Sequence, residues 1–175
     1  QLVNDILQLS HLDNVSETGA APAMETVDLL DVARECVERQ KVNARHSYIS
    51  LTYLGESAPV TGSRVLLDEL CQNLCDNAIR YNRPGGKVQI ITACTRDGHC
   101  TLTVKDNGIG IPKEAQTSVF ERFYRVDKSR SKATGGTGLG LAIVKHIARI
   151  HNARIKLDSV VDEGTTITVI FETAS

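Results

Sequence analysis

Three short segments carry the residues whose types and spacing suit chemistry: Asn73-Leu74-Cys75-Asp76-Asn77, Asp106-Asn107-Gly108-Ile109-Gly110-Ile111-Pro112 and Gly135-Gly136-Thr137-Gly138-Leu139-Gly140-Leu141. The first supplies amide oxygens that a hard cation accepts as ligands. The second sets a carboxylate beside a tight glycine turn. The third opens a helix with glycines, where backbone N–H groups and the helix dipole favour an anion. Each is weak alone, but in this order they describe a nucleotide pocket. The third segment is spaced GxGxG. It is not a GxGxxG dinucleotide fingerprint, because the sixth position counted from Gly136 is Leu141, and no GxxxxGK[ST] phosphate loop is present.

These segments need elements to hold them. Residues 63–81 have the period of a helix, with Leu66, Leu67, Leu70, Cys71, Leu74 and Ala78 on an apolar face and Glu69, Asn73, Asp76 and Arg80 on a polar stripe. Asn77 projects between the directions of Leu66 and Leu70, where a buried amide is costly unless satisfied. Either it bonds backbone inside the core, or with Asn73 it offers amide oxygens to a magnesium ion that bridges phosphates. Asp106 shares a strand face with Leu102 and Val104. It either caps its own turn, as Asp before Asn-Gly does, or accepts the exocyclic amine of a flat base.

Glycines ahead of Leu139, Ile143, Ile147 and Ile150 either expose N–H groups to an anion or form a hinge before an amphipathic helix. Between the second and third segments, Phe120, Phe123 and Tyr124 precede a basic run that includes Arg122, Arg125, Lys128, Arg130 and Lys132. This suits a lid closing over a triphosphate, with Arg125 and Arg122 as its foremost cations. The alternative is a solvated loop whose charges pair with Glu121 and Asp127.

Around the segments, helices and strands alternate. A helix is expected over 27–45 with Asp28 as N-cap, and strands over 47–54, 88–94, 100–106, 153–159 and 165–171. A further helix is expected over 137–151. Hairpins mixed with separate helices favour an α+β, two-layer sandwich over a doubly wound parallel sheet. Residues 1–13 have the pattern of a helix continuing from a longer protein, 14–25 that of a linker, and 26–175 that of the domain proper.

Composition bounds the function classes. A net charge of -1 gives no basic excess for nucleic acid, and no run of about 18 apolar residues is present to span a membrane. The five cysteines (Cys36, Cys71, Cys75, Cys94, Cys100) form no CxxC pair, and their odd number argues against a complete disulfide framework. Reduced, partly buried thiols in a cytoplasmic protein are expected. Cys71 and Cys75, one helical turn apart, are expected to be small core residues rather than metal ligands.

From Asp28 to Phe171 the chain resembles the ATP-binding catalytic domain of bacterial sensor histidine kinases, within the wider family of gyrase, Hsp90 and MutL ATPases. The resemblance rests on an N box at Asp68 to Tyr81, glycine boxes at Asp106 to Pro112 and Gly136 to Leu141, and an F box at Phe120 to Tyr124. It implies a Bergerat-type fold, with a mixed, mostly antiparallel sheet and helices on one face. It also implies Mg-ATP as ligand. Asn77 would ligate Mg2+ and phosphate with Asn73 beside it, Asp106 would read the adenine amine, and Gly108 and Gly110 would shape the base pocket. Gly136, Thr137, Gly138, Leu139 and Gly140 would border the phosphates. Arg80 stands where relatives carry a basic side chain, Tyr81 would wall the pocket, and Arg122 and Arg125 would belong to the lid.

In the ATPase relatives a general-base glutamate stands one turn before the metal asparagine. Here Asn73 holds that position, which fits phosphoryl transfer to histidine rather than to water, and Glu69 remains a candidate base. The acceptor motif resembling His-Glu-Leu-Arg-Thr-Pro is absent, and His11, His46, His99, His146 and His151 all lack its context. The expected partners are therefore ATP, a histidine-bearing dimerisation domain elsewhere in the parent chain and a response-regulator receiver domain. A membrane anchor, if there is one, would also belong to the parent. The alternative of another class is a nucleotide-binding switch without transferase activity. Slow ATP hydrolysis driving a clamp is disfavoured by Asn73.

Overall fold

The computed structural model describes residues 2–18, 22–126 and 137–172. In chain order it contains α1 (Leu2–Thr18), β1 (Glu25–Asp28), α2 (Leu29–His46), β2 (Ser50–Gly55), β3 (Pro59–Gly62), α3 (Arg64–Arg80), β4 (Lys87–Cys94) and β5 (His99–Asp106). A 3-10 turn (Lys113–Ala115), α4 (Gly140–Ile150), β6 (Arg154–Val160) and β7 (Gly164–Glu172) follow.

The main sheet runs β2-β4-β5-β7-β6. The β2–β4 pair is parallel and the remaining pairs are antiparallel. Strand alternation decides which side is covered. Val88 and Ile90 of β4, Leu102 and Val104 of β5, and Val169 and Phe171 of β7 are buried, whereas their neighbours in sequence are half-buried or exposed. The buried faces of α2, α3 and α4 supply the other half of the core, including Val32, Leu70, Leu74, Ile143 and Ile147. The two-layer α+β sandwich with a mostly antiparallel sheet is therefore what the chain forms.

Several expectations shift at the edges. Helix α2 starts at Leu29 rather than Val27, because Val27 pairs with Val60 in a separate two-stranded sheet of β1 and β3. Asp28 does cap α2. Its Oδ1 accepts from Leu30 N (3.0 Å) and Ala58 N (2.8 Å), and its Oδ2 from Ser57 Oγ (2.6 Å). Helix α4 starts at Gly140 rather than Thr137, since Gly138 stands at φ +75°. Helix α1 runs to Thr18, past the expected boundary at residue 13.

One cysteine expectation is corrected. Cys94 and Cys100 face each other in the β4–β5 register and are joined by a disulfide. Cys36, Cys71 and Cys75 are free and buried, as small core residues should be.

Candidate active site

Helix α3 forms one wall of a cleft of about 550 Å³. Its N-cap is Ser63, whose Oγ accepts from Leu66 N. Leu67, Leu70, Cys71 and Leu74 bury one face of the helix, and Asn73, Asp76, Asn77 and Arg80 line the cleft from its margin. Asn77 is therefore at the cleft rather than inside the core, and its side-chain amide has no hydrogen-bonding partner among the described residues. Asn73 Nδ2 donates to Glu69 O (3.0 Å), and its Oδ1 lies 3.5 Å from where a Cβ on Gly140 would stand. Arg80 pairs with Asp76 at 3.2 Å one turn back.

A second wall of the cleft is built on the last residue of β5. Asp106 is half-buried, and its Oδ1 accepts from Gly108 N (2.9 Å) and Thr165 N (3.3 Å), leaving Oδ2 out of both bonds. Burial raises the Asp106 carboxyl above its ordinary value, and the two backbone N–H groups only partly offset this. Gly108 is fixed by close approach. A Cβ there would lie 2.4 Å from Tyr81 O, the same carbonyl that accepts from Ile109 N (3.1 Å). Tyr81 and Gly110 line the cleft, whereas Gly108 sits behind it. Asn82, Arg83 and Asp162 also line the cleft, and Arg83 pairs with Asp162. Nothing in the sequence pattern singled out this trio.

The third wall is the start of α4. Its N-cap position, Leu139, is fully buried and offers no side-chain cap to the N–H groups of Gly140 and Leu141, two residues that line the cleft. Thr137, Gly138 and Gly140 line the cleft. Gly138 also packs against the backbone of Phe123: Phe123 N donates to Gly138 O (2.9 Å), and a Cβ on Gly138 would lie 2.9 Å from Phe123 Cα. Phe120 and Tyr124 dock on the core and Phe123 is exposed. Arg125 lines the cleft. Gly136, Asp127, Lys128, Arg130 and Lys132 lie outside the described residues.

Two expected site residues are held elsewhere. Glu69 does not line the cleft. Its carboxylate bonds Gln8 Nε2 of α1 in a second cavity of about 380 Å³, and burial raises its pKa. Arg122 turns to Asp13 of α1, with Nη2 at 2.9 and 2.7 Å from the two carboxylate oxygens. His146 Nε2 completes this cluster, 3.3 Å from Arg122 Nη2 and 3.7 Å from Asp13 Oδ1, and burial lowers the His146 pKa. Asp5 of α1, which no sequence argument selected, lines the cleft and accepts from Thr137 Oγ1 at 2.8 Å.

Among the described residues, no group of three or more His, Cys, Asp or Glu side chains is arranged to hold a metal ion. No helix among them is long and apolar enough to cross a membrane. In chemical terms the lining combines the half-buried Asp106 carboxylate, the Asn73 and Asn77 amides, the glycine-rich start of α4 with the Asp5 carboxylate on Thr137, and the cations Arg80, Arg83 and Arg125.

Known proteins resemble the chain in sequence and in fold. A family profile described as histidine kinase-, DNA gyrase B- and HSP90-like ATPase matches residues 62–175. The chain is 45% identical over 173 residues to the sensor-like histidine kinase SenX3 of Mycolicibacterium smegmatis, covering 96% of this chain and 43% of that protein. It is 38% identical to the sensor protein kinase WalK of Staphylococcus saprophyticus, covering 95% of this chain and 27% of that one. The chain thus spans less than half the length of these relatives. Among solved structures, the mycobacterial sensor histidine kinase MprB superposes with a TM-score of 0.73 at 32% identity, covering 86% of this chain and 97% of that one.

Proposed function

This chain belongs to the histidine kinase-, DNA gyrase B- and HSP90-like ATPase family, in its sensor histidine kinase branch, and we propose that its cleft binds Mg-ATP for transfer of the γ-phosphoryl group to a histidine elsewhere in the parent protein. The observation that carries this reading is the lining of a single cleft, which brings together the Asp106 carboxylate, the Asn73 and Asn77 amides and the start of α4, whose N-cap Leu139 offers no side-chain cap. That lining suits adenine at Asp106 and phosphates at the start of α4.

Oδ2 of Asp106 accepts the exocyclic amine of adenine while Oδ1 stays with Gly108 N and Thr165 N. Tyr81 walls the base, and Gly110 lets backbone come close. Asn77, whose amide has no hydrogen-bonding partner among the described residues, and Asn73 would hold the cation through oxygen. This fits a magnesium ion that takes one or two protein ligands and keeps phosphate and water for the rest. Bound Mg2+ would neutralise charge on the transferring phosphate. Gly138, Thr137 and the N–H groups of Gly140 and Leu141 face the phosphates, with Arg80 and Arg125 as nearby cations. The chain's contribution is positioning and charge stabilisation. Asn73 occupies the position of the hydrolytic base, and Glu69 lies outside the cleft, so neither activates water here. From the acceptor histidine the phosphoryl group passes to an aspartate of a response-regulator receiver domain. The domain acts in the cytoplasm, with any membrane anchor in the rest of the parent protein.

Calorimetric titration with ATP, ADP and GTP, with and without magnesium, tests the pocket. Selective adenine-nucleotide binding that strengthens with magnesium is expected, and absence of binding overturns the reading. Labelled phosphate appearing on histidine of a protein that carries the parent's dimerisation helices tests the transfer.

A further inference from the structure

Helix α1 packs on α4 and places Asp5 in the lining of the cleft, beside the start of that helix. Leu9 and Leu12 anchor it, 3% and 1% exposed, and Asp5 is 6% exposed although it carries a carboxylate. Among the described residues, polar clasps accompany this packing. Asp5 Oδ2 takes the Thr137 hydroxyl at 2.8 Å, Gln8 takes Glu69, and Asp13 takes Arg122 through both of its oxygens. Thr137 in turn accepts from Leu139 N (3.3 Å), which places the Asp5 carboxylate on the residue two before the N-cap of α4.

A carboxylate at that position is favourable while the helix end has no other anion, and unfavourable once a phosphate arrives. Asp13 meanwhile neutralises a lid cation that would otherwise be free to meet negative charge. We propose that docking of α1 and binding of the nucleotide's phosphates compete, with Asp5 holding the start of α4 and Asp13 withholding Arg122. The proposal rests on the nucleotide reading of the cleft and adds to it a thermodynamic link between α1 and the ligand. By reciprocity, whatever pulls α1 away raises affinity for the triphosphate, and the triphosphate loosens α1.

The test compares ATP with adenosine, which lacks phosphates, by calorimetry on the 175-residue chain and on Asp5→Asn and Asp13→Asn. Asp5→Asn keeps an oxygen for Thr137 while removing the charge, so folding is preserved. Each variant should bind ATP about three- to tenfold more tightly, with adenosine affinity changed by less than about twofold. Hydrogen exchange supplies a readout free of substitutions: ATP should accelerate exchange of α1 amides in the unsubstituted chain, and adenosine should not. Adenosine binding combined with ATP affinity unchanged in both variants removes the competition and leaves the pocket intact. Weaker ATP binding by Asp5→Asn also overturns the proposal, since Asp5 would then assist the cation. Binding of neither ligand by the unsubstituted chain removes the pocket reading along with the competition.

Discussion

Asp106 caps its own turn, one of the two duties that its sequence context left open, and keeps an oxygen over for the other. One oxygen caps the turn through Gly108 N and braces β7 through Thr165 N, and the other remains for a ligand. Asp106→Asn retains an oxygen for the turn and reverses the polarity offered to a base. It should weaken adenine nucleotides by about 1–3 kcal/mol while leaving guanine nucleotides little changed, as read by calorimetry. Equal loss for both bases would remove the adenine role. Asn77→Ala should abolish the magnesium dependence of ATP binding, and a persisting dependence would place the cation elsewhere. Both residues were legible because helical period and strand parity put polar groups where apolar ones belong. Glu69, Arg122 and Asp5 were not, because their partners lie 61, 109 and 132 positions away and no local window contains them.

At the scale of elements, caps were readable and short strands were not. Asp28 before an amphipathic run marks a helix start, yet the same residue ends β1, a four-residue strand whose partner β3 is equally short. Neither strand is long enough for alternation to register. Asp28→Ala removes the cap together with the bonds from Ala58 and Ser57, and should cost about 1–2 kcal/mol in urea unfolding.

His151, at the end of α4, ties that helix to the start of α3: its Nδ1 donates to Ile147 O (2.7 Å), and its Nε2 accepts from Ser63 N (3.0 Å). Both nitrogens are thus committed to the neutral ring, and burial lowers its pKa below the ordinary value of 6.5. A depressed folded pKa contributes stability that is present above the unfolded value and is lost as pH falls toward the folded one. Melting temperature should therefore fall as pH drops from about 6.5, and His151→Gln should flatten that dependence at the expense of stability at neutral pH.

For the molecule as a whole, the architecture was legible because hairpin spacing and helical period agree along the domain. The disulfide was not, because an odd cysteine count says nothing about which two strands bring a pair into register. The unreduced, denatured chain should expose three reactive thiols to a thiol reagent, and five after reduction. Three thiols in both samples would contradict a reducible bridge. Five in both would mean that Cys94 and Cys100 are reduced in solution.

The β5–β7 pairing sets a condition on when the protein becomes competent. Asp106 stands opposite Thr165, and Cys100 opposite Phe171, so strands far apart in sequence must zip together across the whole lid and α4. The β4–β5 hairpin closes locally and early, whereas this non-local pairing is slow to form. A chain emerging from the ribosome therefore carries Asn73, Asn77, Gly108, Gly110, Gly138 and Gly140 before Thr165 and Ile167 of β7 complete the lining of the cleft.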